Sequence, residues 1–176
     1  MIKKLIKNNF LNYIKNNSNA HTEDIIYLGS NYGGWYLRDT KSLYKSTIIS
    51  AGVGEDISFD IELINRYKTK NILVDPTPRS ISYLEDVFNN LGKSKKTEYS
   101  QTGYQPFDSY EMTNINRNNL RIIKKALWFK NDKVKFYEPP NPNYVSYSLS
   151  NWQNNYSKKT NFIEVSTITI KNILDD

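Results

Sequence analysis

Thr47-Ile48-Ile49-Ser50-Ala51-Gly52-Val53-Gly54-Glu55-Asp56-Ile57 and, further on, Asn71-Ile72-Leu73-Val74-Asp75-Pro76-Thr77-Pro78 decide the fold. Residues 47–51 are β-branched and apolar at consecutive positions, the pattern of a central parallel strand buried on both faces. The run enters Gly52-Val53-Gly54, where a backbone without Cβ atoms can turn tightly. Ile57, Ile61 and Ile64 then recur at helical spacing, with Asp56 and Asp60 in the first turns, where acids suit the positive end of the helix dipole. Residues 71–75 read as a second buried strand, ended by Pro76-Thr77-Pro78. Thr77 is expected as N-cap and Pro78 as the first residue of a helix whose apolar face is Ile81, Leu84, Val87, Phe88 and Leu91, with Gly92 as its stop. Residues 47–92 therefore read as strand, glycine turn, helix, strand, helix, the unit of a doubly wound α/β fold with right-handed crossovers.

Outward from this unit the pattern is less regular. Residues 93–118 are polar and Asn-rich and read as a long loop. Leu120–Leu127 is expected as a third strand. Val134–Tyr137 and Tyr144–Leu149 flank the turn-rich Glu138-Pro139-Pro140-Asn141-Pro142-Asn143 and read as an inserted antiparallel hairpin. Ile163–Ile170 is again apolar and β-branched, and a helix begins as the sequence reaches Asp176. Upstream, Ile25-Ile26-Tyr27-Leu28 is strand-like, and Gly29, Gly33 and Gly34 read as a turn. Ile2, Leu5, Ile6, Phe10, Tyr13 and Ile14 share one face of a basic amphipathic helix, expected to dock on its own domain. The division is residues 1–24 as helix and linker and 25–176 as a partial α/β domain. Trp35 and Trp128 are expected in the core, His21 in a solvated loop, and Lys93–Lys96 and Lys124-Lys125 as solvated charge. Tyr144, Ser146, Tyr147 and Ser148 are assigned to packing and hairpin hydrogen bonds, with some bordering the substrate cleft.

Composition removes several chemistries. The chain has 176 residues, no Cys and one His, which excludes disulfides, thiolate metal sites, a Cys nucleophile and a His-based triad. No metal site is expected. No apolar run approaches the roughly 18 residues of a membrane span, and residues 1–20 lack the apolar stretch of a secretory signal, so the cytoplasm is the expected compartment. The net charge is +6, and Lys3, Lys4, Lys7 and Lys15 in residues 1–20 supply four of those charges with no acid beside them. Only 5 of the 24 basic residues are Arg, the residue preferred for base and phosphate recognition. With 23 Asn, the composition reads as genome bias rather than a nucleic-acid footprint.

The chemistry sits at the glycine turn. Gly52 and Gly54 let a ligand approach main-chain N–H groups, and the following helix adds donors. Asp75 lies 21 residues beyond Gly54 at the end of the next strand, where a carboxylate can accept both hydroxyls of an adenosine ribose. A dinucleotide turn wants a third glycine at position 57, and Ile57 is there; Glu55 and Asp56 would repel a pyrophosphate. The ligand is therefore expected to be phosphate-free and to carry a cationic amino group, which fits S-adenosylmethionine and disfavours a nicotinamide oxidoreductase.

Residues 49–60 followed by Val74-Asp75-Pro76-Thr77-Pro78-Arg79 resemble the FkbM family of S-adenosylmethionine-dependent methyltransferases. Tyr32-Gly33-Gly34-Trp35 upstream, and Ala126-Leu127-Trp128, Phe136-Tyr137-x-Pro139 and Val145-Ser146-Tyr147-Ser148 downstream, resemble its continuation. The resemblance implies a Rossmann-like class I methyltransferase sheet and O-methylation of a sugar or natural-product hydroxyl, with a small-molecule or glycan acceptor. It implies a cofactor site of Ser50, Gly52, Gly54, Glu55, Asp56, Asp75, Pro76 and Ala126: the glycines at the turn, Glu55 or Asp56 facing the methionine part or capping the helix, Asp75 on the ribose, Pro76 at the adenine wall and Ala126 at the adenine pocket. It implies no catalytic residue. Family members continue into a fourth parallel strand with an Asp-x-Glu-Gly motif, absent here, so the sheet is expected to be incomplete at the C-terminus. Strand 47–51 should then have an unpaired edge, completed in an oligomer or by a missing C-terminal half. The alternative function is a non-catalytic basic module that binds RNA or an anionic surface through residues 1–15 and the Lys-rich loops.

Overall fold

The computed structural model describes residues 24–141 and 144–175. The expected N-terminal helix and His21 lie outside the described residues. The strands are β1 (Ile25–Leu28), β2 (Trp35–Arg38), β3 (Thr47–Ala51), β4 (Lys70–Val74), β5 (Leu120–Ile123), β6 (Ala126–Leu127), β7 (Lys133–Tyr137) and β8 (Phe162–Ile168). The helices are α1 (Ser58–Tyr67), α2 (Pro78–Phe88) and α3 (Ile170–Leu174). The chain is a mixed α/β protein. Among the described residues no helix is long and apolar enough to cross a membrane.

The centre is a parallel sheet of order β3-β4-β5. Its register pairs Ala51 with Val74 and Val74 with Ile123, so Gly52 and Asp75 emerge at the same carboxyl end. The ladder continues past the strands, with the Gly52 amide donating to Val74 O (2.9 Å) and the Asp75 amide to Ile123 O (3.1 Å). Alternation splits the strand residues between two faces. Leu73 and Leu120 join Ile57, Ile61 and Ile64, and Leu84 and Val87 of α2, in the larger core. Val74 and Ile123 pack on the other face against Ile168 and Ile173, with Ile49, Ile72 and Leu127 at the margin. Both helices of the expected unit thus cover one face, and the β8–α3 corner covers part of the other.

No described residue pairs with the outer edge of β3. Its residues are half-buried or exposed, so the expectation of burial on both faces does not hold. A strand with one neighbour cannot be enclosed as a central one is.

Several expected boundaries also move. Residues 120–127 are not one strand. The ladder breaks after Ile123, where the Lys125 amide turns back onto Ile123 O (2.9 Å), and β6 instead pairs in parallel with β8. The antiparallel partner of β7 is β8, with Phe136 opposite Ile163, and residues 144–149 form no strand. Their backbone meets β7 at the isolated Tyr137–Ser148 bridge. Thr77 takes the N-cap position of α2 but makes no cap hydrogen bond; its hydroxyl donates to Asp75. Residues 93–118 are more than a polar loop, because Tyr110, Met112 and Ile115 from this stretch are buried in the larger core.

That loop also fixes the start of α1. The Ile57 amide donates to the Tyr110 hydroxyl (3.1 Å), Tyr110 and Tyr83 share a hydrogen bond of 2.6 Å, and the Tyr83 hydroxyl donates to Gln105 O (3.0 Å). Burial pushes both phenols well above their ordinary range, so they serve as neutral hydrogen-bonding groups. The chain of bonds closes an otherwise orphaned helix donor in a dry interior.

Candidate functional site

At the carboxyl end of β3 and β4 lies an open cleft of about 700 Å³, in the size range of small-molecule sites, ~300–1,000 Å³. This is the position at which α/β sheets hold their ligands. Gly52 and Gly54 form its floor with φ of +75° and +60°, a left-handed conformation that side chains oppose. A Cβ on Gly52 would meet nothing within 4 Å, and one on Gly54 would meet only Val145 at 3.5 Å. The glycines are therefore required by backbone conformation, and the space above them is free for a ligand.

Asp75 is 4% exposed and aims at this turn. Its Oδ2 accepts the Gly54 amide (3.1 Å), and its Oδ1 accepts both the amide and the hydroxyl of Thr77 (2.9 and 2.7 Å). A carboxylate offers about four acceptor positions, so about one remains. Engaging both hydroxyls of a ribose requires the Gly54 bond, the longest of the three, to give way.

The two acids after the turn have separate tasks. Asp56 Oδ1 accepts the Ser58 amide (2.9 Å), which satisfies a first-turn donor of α1, and Oδ2 holds Ser30 Oγ (2.6 Å) and Gln105 Nε2 (3.1 Å). Asp56 thereby ties the β1–β2 turn and the 99–112 loop to the helix start. Glu55 forms a forked ion pair with Arg79 of α2, Nη2 to Oε2 at 2.8 Å. Both line the cleft, yet each has a structural partner.

Ser50, Gly52, Gly54, Glu55, Asp56, Asp75 and Pro76 all line this one cleft. Ala126 does not. It is 4% exposed and paired with Thr167 of β8, because the ladder break after β5 carries it away from the carboxyl end of the sheet. The sequence reading also missed contributors. Asp60, Phe59, Trp35 and Gly103 line the cleft. Trp35, expected in the core, is 67% exposed; the β1–β2 turn is pinned to α1 by the Gly29 amide on Glu62 (2.7 Å) and the Ser30 amide on Ser58 (2.7 Å), which holds Trp35 at the cleft wall. Trp128 is half-buried. Ser146 and Tyr147 do border the cleft, and desolvation together with Glu138 raises the Tyr147 phenol.

Four carboxylates, those of Glu55, Asp56, Asp60 and Asp75, line the cleft, and among the described residues no Lys or Arg lines it. The site is hostile to phosphate and suited to a neutral polar or cationic ligand. Among the described residues no group of three or more His, Cys, Asp or Glu is placed to hold a metal ion. The chain matches no family model, no curated protein and no solved structure.

Proposed function

We propose that the cleft binds S-adenosylmethionine and that the protein is a methyltransferase of the FkbM type, acting on a hydroxyl of a sugar or natural product. The observation that carries this reading is the left-handed Gly52-Val53-Gly54 turn at the carboxyl end of two adjacent parallel strands, with the Asp75 carboxylate of the second strand bonded to the Gly54 amide. Three features test the fit of the ligand to the residues. The volume is sufficient, the glycine floor is open, and the described lining is acidic and includes no Lys or Arg, Arg79 standing behind Glu55 as its ion-pair partner. A pyrophosphate cofactor fails the last of these.

Asp75 would take the ribose hydroxyls, Gly52 and Gly54 would let the ligand lie against the main chain, and Pro76 would border the adenine. The cofactor supplies an electrophilic methyl group on a sulfonium. The protein's part in such a displacement is to hold the acceptor oxygen in line with that methyl and to receive the hydroxyl proton. The exposed Trp35 and the half-buried Phe136 and Tyr147 would form the wall against which an acceptor is positioned.

A calorimetric titration of the whole chain with S-adenosylhomocysteine tests the proposal. One-site binding that disappears in Asp75→Ala is expected. A folded sample that gives no heat would overturn the cofactor reading, and salt-sensitive binding of RNA or anionic lipid that survives Asp75→Ala would favour the basic interaction module instead.

A further inference from the structure

β5 carries the other outer edge of the central sheet, and a second cleft, of about 550 Å³, opens along it. α2 starts beside the glycine-turn cleft, at Thr77, and its last turn lines this one. At ~1.5 Å per residue the two ends of that helix stand about 16 Å apart. The ladder to β4 dictates what the edge presents. The Asn71 amide donates to Asn119 O (2.7 Å) and the Asp75 amide to Ile123 O (3.1 Å), so Asn119, Arg121 and Ile123 turn their peptide groups toward β4. Alternate residues of a strand serve opposite sides of a parallel ladder. The peptide groups of Leu120 and Ile122 therefore face outward, where no described strand pairs with them. Leu120 is buried; Ile122 is half-buried and lines the cleft with Phe88, both at the rim of the larger core.

The charge here is the opposite of that at the glycine turn. Arg117, Arg121 and Lys124 line the cleft, and among the described lining residues Glu85 is the one acid, so cations exceed acids by two. Lys124 reaches Glu85 (2.5 Å). The Arg117 guanidinium lies over the Phe88 ring, 5.4 Å from its centre, which leaves the rim of N–H donors directed away from the ring. Arg121 is exposed on the edge strand itself.

We propose that the β5 edge takes an extended acidic segment of a partner protein as an added strand, the segment's backbone pairing with Ile122 and its carboxylates meeting Arg117 and Arg121. Strand addition supplies the ladder partner that the edge lacks, and a guanidinium fork matches a carboxylate in two parallel hydrogen bonds. The same cations keep apolar strands off this edge and admit one of opposite charge. A second copy of this chain is a poor occupant. β5 against β5 would face cations with cations, and the other open edge, Thr47–Ala51, brings no carboxylate. The site is independent of what the glycine-turn cleft binds.

The test titrates the whole chain into a fluorescein-labelled hexapeptide of alternating Glu and Val, followed by anisotropy, and reads amide hydrogen exchange on the complex. Saturable binding is expected, with exchange slowed at the Ile122 amide. The same peptide with Pro in place of its central Val keeps the charge and loses a ladder donor, and should bind about tenfold or more weakly. Arg121→Glu, at an exposed position, should weaken the Glu-Val peptide about tenfold or more by setting like charge against it. Absence of binding, equal binding of the Pro peptide, an Ile122 amide that exchanges as fast in the complex as before, or full affinity in Arg121→Glu each overturns the proposal. So does a single-stranded RNA oligomer that binds this edge in preference to the peptide, which would make it a nucleic-acid site. Should Arg121→Glu not fold, the Pro peptide and the Ile122 exchange rate decide the matter on the wild type.

Discussion

Asp75→Ala removes the acceptor of three donors at once. The Thr77 amide and hydroxyl and the Gly54 amide all end on this carboxylate (2.9, 2.7 and 3.1 Å). Thr77 is 5% exposed, so water cannot take over its amide, and a buried donor left unsatisfied costs about 1–3 kcal/mol. The Thr77 hydroxyl can rotate toward another acceptor, and the Gly54 amide borders the cleft and can be hydrated. The expected loss is therefore about 2–4 kcal/mol, a large share of a domain's stability. Asp75→Asn separates structure from function. Its remaining oxygen can still serve Thr77, while its amide N–H₂ faces the Gly54 N–H, and the expected loss is about 1 kcal/mol. Urea unfolding of both variants gives the comparison, with S-adenosylhomocysteine binding lost in both. Wild-type stability in Asp75→Ala would refute the reasoning. So would an Asp75→Asn cost equal to that of alanine, because the carboxylate would then not be anchoring Thr77 through one oxygen.

Three further outcomes follow from the same geometry. Gly33→Ala would place a Cβ 2.6 Å from Asp56 Oδ2, the oxygen that holds Ser30 and Gln105; a loss of about 1–3 kcal/mol in unfolding experiments is expected, and a neutral effect would contradict the described packing. Tyr110→Phe leaves the fully buried Ile57 amide without its acceptor, for about 1–3 kcal/mol, read from a shift in the urea midpoint. Asp60 gives a pH dependence. Its folded value is raised above the unfolded 3.8, so its contribution is fully present below the unfolded value and is lost as pH rises through the folded one. The stability of Asp60→Asn relative to wild type should therefore improve from acid to neutral pH, and a difference flat across that range would refute this.

Much of the central unit was legible in the sequence because its signals are local. The apolar runs of β3 and β4, the helical spacing of Ile57, Ile61 and Ile64, and Pro78 at the start of α2 each report on neighbours within a few residues. The carboxyl-end position of Asp75 follows from them. What escaped depends on distant partners. β7 pairs with β8 across an intervening stretch that includes residues 144–149, and local pattern alone favours the nearer run as its partner. The apolar character of residues 120–127 is continuous, and only the turn at Lys124-Lys125 divides it. Trp35 reads as a core residue by type, yet its exposure is set by how Glu62 and Ser58 of α1 hold the β1–β2 turn. Asp60 was readable as a helix-start acid. Its burial depends on Asn71 and on the loop packing that places α1 against the sheet, which no local pattern encodes.

The central claim is that a phosphate-free nucleoside ligand displaces the Gly54–Asp75 bond at the glycine turn. Amide nuclear magnetic resonance of the labelled chain measures this directly. On addition of S-adenosylhomocysteine, the largest shifts should fall on Gly52, Val53, Gly54 and Thr77, and NAD should leave them unmoved. Unchanged signals at these amides with S-adenosylhomocysteine, or equal shifts with NAD, would contradict the account.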